Sequence, residues 1–185
     1  MRKRFGKSDW LDLGLTQLAK DGPAGLTIEA LCTAADRTRG SFYHHFQDHG
    51  AFVEALMLAW KQRHTLDIAE QTLAEKGDLR ARKLSDLANR LDHRLEQAVR
   101  QFAQSDLRAQ EIVRDVDDLR TGFVARLYEA GGMEPALAAD VAKIEYAAFV
   151  GSQIVWPDMP ADERVALDRR FAQLVAMATE TGSRK

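Results

Sequence analysis

The chain has 185 residues, of which 45% are hydrophobic and 29% are charged, and its formal net charge is −2. This composition is that of an ordinary globular protein, and it excludes a disordered, collagen-like or disulfide-stapled chain. The single cysteine cannot form an internal disulfide, and no apolar run approaches the ~20 residues that a membrane helix needs. No apolar segment of the signal-peptide kind follows the basic start of the chain. We therefore expect a cytoplasmic protein with no membrane partner.

The charges are distributed unevenly along the chain. Residues 1–45 carry 7 basic and 5 acidic side chains, whereas the remainder carries 19 basic and 23 acidic ones. A mildly basic N-terminal part on an acidic body indicates that only the N-terminal part contacts a polyanion.

The first helices are short and closely spaced. Leu11, Leu15 and Leu18 recur at helical spacing, and the segment ends at a turn with the sequence Asp-Gly-Pro. Thr27 and Thr38 then have the side chains that begin helices as N-caps, and each precedes only about two turns of helical pattern. This arrangement predicts a helix-turn-helix.

Longer helices follow. Asp48 is a further N-cap, and the helix after it is expected to run from 49 to about 75. Apolar stripes at helical spacing continue to the end of the chain, interrupted by glycine and proline, and no segment alternates as a strand would. We predict an all-α fold of about nine helices, with a three-helix head in residues 1–50 and a helical bundle in residues 51–185.

Residues 39–46 have the chemistry of a nucleic-acid interface. Phe42 and Phe46 lie four residues apart and are expected to point into the core. The other faces carry a guanidinium, a hydroxyl, a phenol and two imidazoles, on Arg39, Ser41, Tyr43, His44 and His45. Arginine bonds guanine in the major groove, Gly40 permits close approach of the backbone, and the helix starts behind Thr27 and Thr38 can hold phosphates.

Other chemistries fit this segment poorly. His45 and His49 have the spacing of metal ligands, but no acidic partner lies in a metalloprotease-like pattern between them. Ser41, His45 and Asp48 are the residue types of a hydrolase triad, but the strand–turn–helix that exposes a nucleophilic serine is missing. Cys32 is expected to pack in the core. We expect no metal, no cofactor and no enzymatic activity.

The segment Leu26–Phe46 resembles the helix-turn-helix of the TetR family of bacterial transcriptional regulators. The resemblance covers roughly residues 8–60 and depends most on Arg39–Phe46. It implies double-stranded operator DNA as a partner. The residues assigned to that DNA are Thr27, Arg37, Thr38, Arg39, Gly40, Ser41, Tyr43, His44, His45 and His49.

Five positions depart from the family pattern. Asp36 stands at the turn where the family usually has glycine, and we expect it to adopt the same left-handed conformation. Arg37 replaces an aliphatic residue, so that it either faces the DNA or covers the turn. His49 replaces a lysine that contacts a phosphate in the family, and Gly50 and Ala51 replace the usual acidic residues. The basic segment Arg2–Arg4 either reaches the minor groove or is a solvated terminus.

The resemblance also implies roles for the body. The family usually holds a small-molecule effector between its helices, and aromatic residues with one histidine are candidates to line that pocket, namely Trp60, His64, Phe102, Phe123 and Tyr128. The last two helices, roughly 136–156 and 161–181, would pack against a second copy of the chain. Small and apolar residues supply this dimer interface, namely Ala147, Ala148, Gly151, Ser152, Leu167, Phe171, Leu174 and Val175.

These inferences predict a ligand-responsive transcriptional regulator, most often a repressor in this family. A homodimer would place two recognition helices about one DNA turn apart, ~34 Å, on a palindromic operator. The alternative is an architectural or protein-interaction module of the same fold that binds DNA and has no small-molecule effector.

Overall fold

The computed structural model describes residues 5–77 and 79–182, with side chains described up to residue 178. The basic segment Arg2–Arg4 lies outside the described residues. The chain forms two compact units. The first contains the residues up to His64 together with Asp92–Val116, and the second contains Thr65–Leu91 and the residues from Asp117 onward.

The described chain is helical throughout and has no strand. Its helices are α1 Lys7–Asp21, α2 Ile28–Ala35, α3 Arg39–Tyr43, α4 His49–Lys61, α5 Asp67–Leu73, α6 Leu79–Ala88, α7 His93–Phe102, α8 Leu107–Ala130, α9 Pro135–Val155 and α10 Ala161–Gly182. A π-helical segment, Gln62–Leu66, joins α4 to α5 without a break, so that the predicted long helix is present and nine separate helices result within the described residues. The predicted all-α class is confirmed.

The three predicted N-caps begin the helices that they were expected to begin. The side chain of Thr27 accepts a hydrogen bond from the backbone N–H of the third α2 residue at 3.2 Å. Thr38 does the same for α3 at 3.3 Å, and Asp48 for α4 at 2.7 Å. Each cap satisfies a backbone donor that would otherwise lack a partner at a helix start.

Aromatic packing fixes the position of α3 in the first unit. Phe42, Trp10 and Phe52 are fully buried, and the Phe42 ring lies 5.4 Å from that of Trp10 and 5.3 Å from that of Phe52. Gly14 lets α1 approach α4 closely, since a Cβ there would lie 2.8 Å from atoms of Phe52 and Leu56. Because such cores are close-packed, α3 rests on a rigid base.

The far end of α4 is bonded to α7 through a buried carboxylate. Glu96 is 1% exposed, and its Oε1 accepts a hydrogen bond from Nε1 of Trp60 at 2.9 Å and lies 3.0 Å from Nδ1 of His64. His64 lies in the π-helical segment. Arg63 of the same segment pairs with Asp12 of α1 at 2.6 Å.

In the second unit, polar bonds link α8 to α9 and α6 to α10. The Tyr128 hydroxyl donates to Glu145 at 2.6 Å, and Asp168 accepts from Ser85 at 2.8 Å and from Asn89 at 2.5 Å. Burial raises the pKa of the Glu145 carboxyl, and the charge of Asp168 raises it further. Burial and the bond to Glu145 likewise raise the pKa of Tyr128.

The helices α9 and α10 carry large apolar side chains on their surface. Ile144, Ile154, Leu174 and Met177 are each more than half exposed. Among the described helices, none combines the length and the hydropathy of a membrane-spanning segment.

Candidate nucleic-acid interface

The turn between α2 and α3 depends on Asp36. Its φ and ψ are 51° and 52°, and no other non-glycine residue in the described part of the chain has a positive φ. The backbone N–H groups of Asp36 and Arg37 donate to the carbonyls of Thr33 and Cys32, at 3.2 and 3.0 Å. The predicted left-handed conformation is therefore confirmed, and aspartate closes the turn where glycine would be usual.

Arg37 covers this turn. Its Nη1 donates to the carbonyl of Asp36 at 2.8 Å, and its guanidinium lies 5.5 Å from the centre of the Phe5 ring. Of the two expected placements, the structure therefore has the covering one. A role for Arg37 on DNA remains a prediction.

The short helix α3 presents the predicted side chains to solvent. Phe42 points into the core, whereas Tyr43 is 51% exposed and packs edge-on against Phe42, with 5.6 Å between ring centres. His44 is exposed and His45 is half-buried, and their rings contact each other at 4.9 Å. The polar groups of α3 and of the turn after it thus form one surface on a buried aromatic base.

Glycine at position 40 is not a requirement of the fold. A Cβ there would meet only the Thr38 hydroxyl oxygen, at an ordinary contact distance of 3.7 Å. Thr38, Arg39 and Gly40 are exposed, and Ser41 is half-buried. The predicted reason for the glycine, a close backbone approach to DNA, remains a prediction.

Arg39 forms an ion pair that the sequence interpretation did not anticipate. Its Nη2 donates to Oε1 of Glu29, and the two side chains are 63% and 64% exposed. Glu29 lies in the first turn of α2, ten residues earlier in the chain. The spacing alone gave no signal for this contact, because it depends on how the turn at Asp36 orients α3 against α2.

His49 bonds inward at the start of α4. Its Nε2 donates to the carbonyl oxygen of Leu26 at 2.8 Å, and its ring lies 6.2 Å from that of Phe52. A cation from a distant part of the sequence lies nearby, since the Arg108 guanidinium carbon is 3.1 Å from where a Cβ on Gly50 would be. The missing acidic side chain at position 50 therefore makes room for an arginine of α8.

The predicted pocket residues are divided between the two units. Trp60 is fully buried and Phe102 is 7% exposed in the first unit, where His64 also lies. Phe123 and Tyr128 belong to the second unit. Cys32 is buried as expected, and burial raises the pKa of its thiol, which disfavours the reactive thiolate.

The predicted dimer residues lie on the surface of α9 and α10. Ala147, Ala148, Leu167 and Leu174 are exposed, and Gly151, Ser152, Phe171 and Val175 are half-buried. A Cβ on Gly151 would meet nothing within 4 Å. A second copy would therefore find small and apolar side chains there.

Comparisons with known proteins find similarity in the helix-turn-helix sequence and in the overall fold. No curated protein sequence matches the chain. A solved structure, that of "the putative transcriptional regulator from Pseudomonas aeruginosa PAO1", is similar with a TM-score of 0.67 at 15% identity. The similarity covers 91% of this chain and 89% of that one, and at such low identity it shows the fold alone. Residues 11–56, which contain the whole helix-turn-helix, match the sequence model described as "Bacterial regulatory proteins, tetR family". The helix-turn-helix segment therefore matches the tetR family of bacterial regulatory proteins, and this match supports a DNA-binding regulator.

Proposed function

We propose that this regulator binds a palindromic operator as a homodimer and acts as a ligand-responsive repressor. The observation that supports the proposal is that the chain has one polar surface and one apolar surface. The surface of α3 is polar and rests on a closed aromatic core, whereas α9 and α10 expose large apolar side chains. The first suits a polar, charged duplex, and the second suits another copy of the chain.

In this proposal α3 enters the major groove. Arg39 is exposed at the first position of the helix and can donate to the O6 and N7 acceptors of guanine. Tyr43, which is about half exposed and packs edge-on against Phe42, donates its hydroxyl to a phosphate. The helix starts capped by Thr27 and Thr38 hold further phosphates, and Ser41, His44 and His45 complete the contact surface.

The homodimer joins two such heads. Isologous packing of α9 and α10 against the same helices of a second copy would cover Ile144, Leu167 and Leu174. The two recognition helices would then bind half-sites separated by one DNA turn, or a multiple of it.

The effector acts through α4 in this proposal. The start of α4 follows α3 closely, and its other end contacts buried Glu96 through Trp60 and His64. A ligand that binds beside Trp60, His64 or Phe102 of the first unit and prefers one position of α4 would change the spacing of the heads.

The second candidate is a DNA-binding module of the same fold without a small-molecule effector. It is favoured by the burial of three predicted pocket residues, since Trp60, Phe102 and Phe123 are at most 9% exposed. A thermal-shift screen with metabolites and hydrophobic drugs separates the candidates. A compound that raises the melting temperature and lowers operator affinity supports the repressor, and the absence of any such compound supports the module.

Selection of binding sites from random duplex DNA tests the central proposal. We expect the parent to select a palindrome and Arg39→Ala to lose preference at one or two base pairs of each half-site, at a cost of ~1–3 kcal/mol. Tyr43→Phe removes a phosphate bond but keeps the ring, and should weaken binding to all sequences by one common factor.

An unchanged selection profile for Arg39→Ala, or a changed one for Tyr43→Phe, would contradict these roles. A selected site without two-fold symmetry would contradict the dimer.

A further inference from the structure

The ion pair between Arg39 and Glu29 joins the two helices of the helix-turn-helix at its surface. Arg39 is the first residue of α3, and Glu29 lies in the first turn of α2. Both side chains are more than half exposed, so that the pair is in solvent and not in the core.

Folding does not account for this pair. An ion pair as exposed as this one contributes little to stability. The position of α3 is already fixed by the fully buried side chains of Leu31 and Phe42 and by the Thr38 cap. The contact instead occupies the one side chain of α3 that has the geometry to read guanine.

We propose that Glu29 is a specificity-determining residue of the DNA interface, which positions Arg39 and keeps it from phosphates. The inference rests on the proposed role of Arg39 in reading bases. A guanidinium has five N–H donors in a fixed fork, so that one bond to Glu29 leaves donors free for O6 and N7 of guanine. The carboxylate limits the directions in which that fork can point.

The same carboxylate discriminates between the two kinds of acceptor on DNA. A phosphate near Arg39 is repelled by the negative charge of Glu29, whereas a base edge carries no net charge and can offer the N4 amino group of cytosine to the carboxylate. On a non-cognate sequence, Arg39 would have to leave Glu29 before it could bind a phosphate. Glu29 therefore raises specificity by weakening non-specific binding.

The experiment is a double-mutant cycle of Glu29→Gln and Arg39→Ala. Affinities for the operator selected by the parent and for a random duplex are measured from about 50 to 200 mM salt, a range in which phosphate contacts dominate the salt dependence. Glu70→Gln, which removes the same charge from an exposed position on α5, is the matched control. Melting temperatures of all variants are recorded.

We expect Glu29→Gln to leave the melting temperature unchanged and to raise affinity for the random duplex by roughly 3- to 10-fold, with a salt slope steeper by up to ~0.9 per protomer. Operator affinity should change less, so that the ratio of the two affinities falls. In the Arg39→Ala background, Glu29→Gln should have no more effect than Glu70→Gln has in the parent.

Three results would overturn the inference. The first is a Glu29→Gln variant with the same affinity ratio and salt slope as the parent. The second is the same effect of Glu29→Gln with and without Arg39, which would show a general charge effect. The third is a parallel loss of melting temperature and of both affinities, which would show a structural role. A parent that selects no sequence at all would instead refute the proposed function, and the cycle distinguishes the two failures.

Discussion

The aromatic core around α3 is buried, whereas the last two helices expose several of their large apolar side chains. In the first unit, Trp10, Phe42 and Phe52 are fully buried and in ring contact around Phe42. On α9 and α10, Ile144, Ile154 and Met177 are each at least 60% exposed. These rings are thus buried within one chain, whereas α9 and α10 leave apolar area in contact with solvent.

This difference separates two kinds of binding surface. A closed core holds short helices such as α3 at fixed positions, so that a few polar side chains can be presented with defined geometry. Contacts between apolar side chains depend little on direction, but the burial of an extended apolar surface can stabilise the association of two copies. The proposed sequence readout therefore belongs to the head, and the proposed self-association belongs to α9 and α10.

The largest expected effect comes from placing a charge on the apolar surface. Gly151→Arg has room within its own chain, since a Cβ there meets nothing within 4 Å. In a close-packed dimer, however, it would bury an unpaired guanidinium. We expect a folded monomer by sedimentation and an operator affinity weaker by roughly 100-fold or more, because the two heads are no longer linked.

Gln71→Arg is the control for this substitution, since it adds the same charge to an exposed position on α5. It should leave both the sedimentation coefficient and the operator affinity unchanged. An intact dimer of Gly151→Arg would place the interface elsewhere on the chain.

A smaller effect is expected at the start of α4, where it distinguishes two roles of His49. The bond from Nε2 to the carbonyl of Leu26 predicts a structural role. His49→Ala should then lower the free energy of unfolding by about 1 kcal/mol, the usual contribution of one hydrogen bond. His49→Gln retains a donor and should restore part of this loss. Urea unfolding of the three proteins measures both values.

The phosphate contact assigned to His49 from the sequence gives a different result. In that case the two variants would keep the stability of the parent, and the salt slope of operator binding would fall by up to ~0.9 per protomer. A loss of stability together with a lower salt slope would instead show that the inward bond to Leu26 is exchanged for a phosphate when DNA binds.

The sequence alone predicted those structural features that depend on residues close together in the chain. The caps at Thr27, Thr38 and Asp48 and the left-handed turn at Asp36 each depend on neighbouring residues, and all four are present as predicted. The apolar periodicity likewise predicted the helical class, because a helix buries one stripe of its own side chains.

The sequence alone did not predict side-chain contacts that depend on how two helices pack against each other. The pairing of Arg39 with Glu29 and the approach of Arg108 to Gly50 require the relative orientation of two helices. Glu96 was not singled out either, although it is 1% exposed and bonded to Trp60. Single charged residues in a helical pattern are usually solvated, so that nothing in the pattern marked this one as buried.

The smallest expected effect concerns Glu145, a polar residue of α9 that packs against α8, in contrast to the exposed apolar residues of the same helix. Burial raises the pKa of Glu145 above its ordinary value of 4.5, although the hydrogen bond from Tyr128 opposes the shift. At pH 4 and below the carboxyl is mostly protonated in both the folded and the unfolded chain. As the pH rises, the unfolded chain ionises first, and stability falls until the folded-state pKa is passed.

Glu145→Gln cannot ionise and still offers a carbonyl oxygen to the Tyr128 hydroxyl. Urea unfolding at pH 4 and pH 7 should therefore show that the variant gains stability relative to the parent at the higher pH, with little difference at the lower one. All other groups titrate in both proteins, so only the difference between the two profiles reports on Glu145. Parallel profiles would mean that Glu145 has the same pKa in the folded and the unfolded chain.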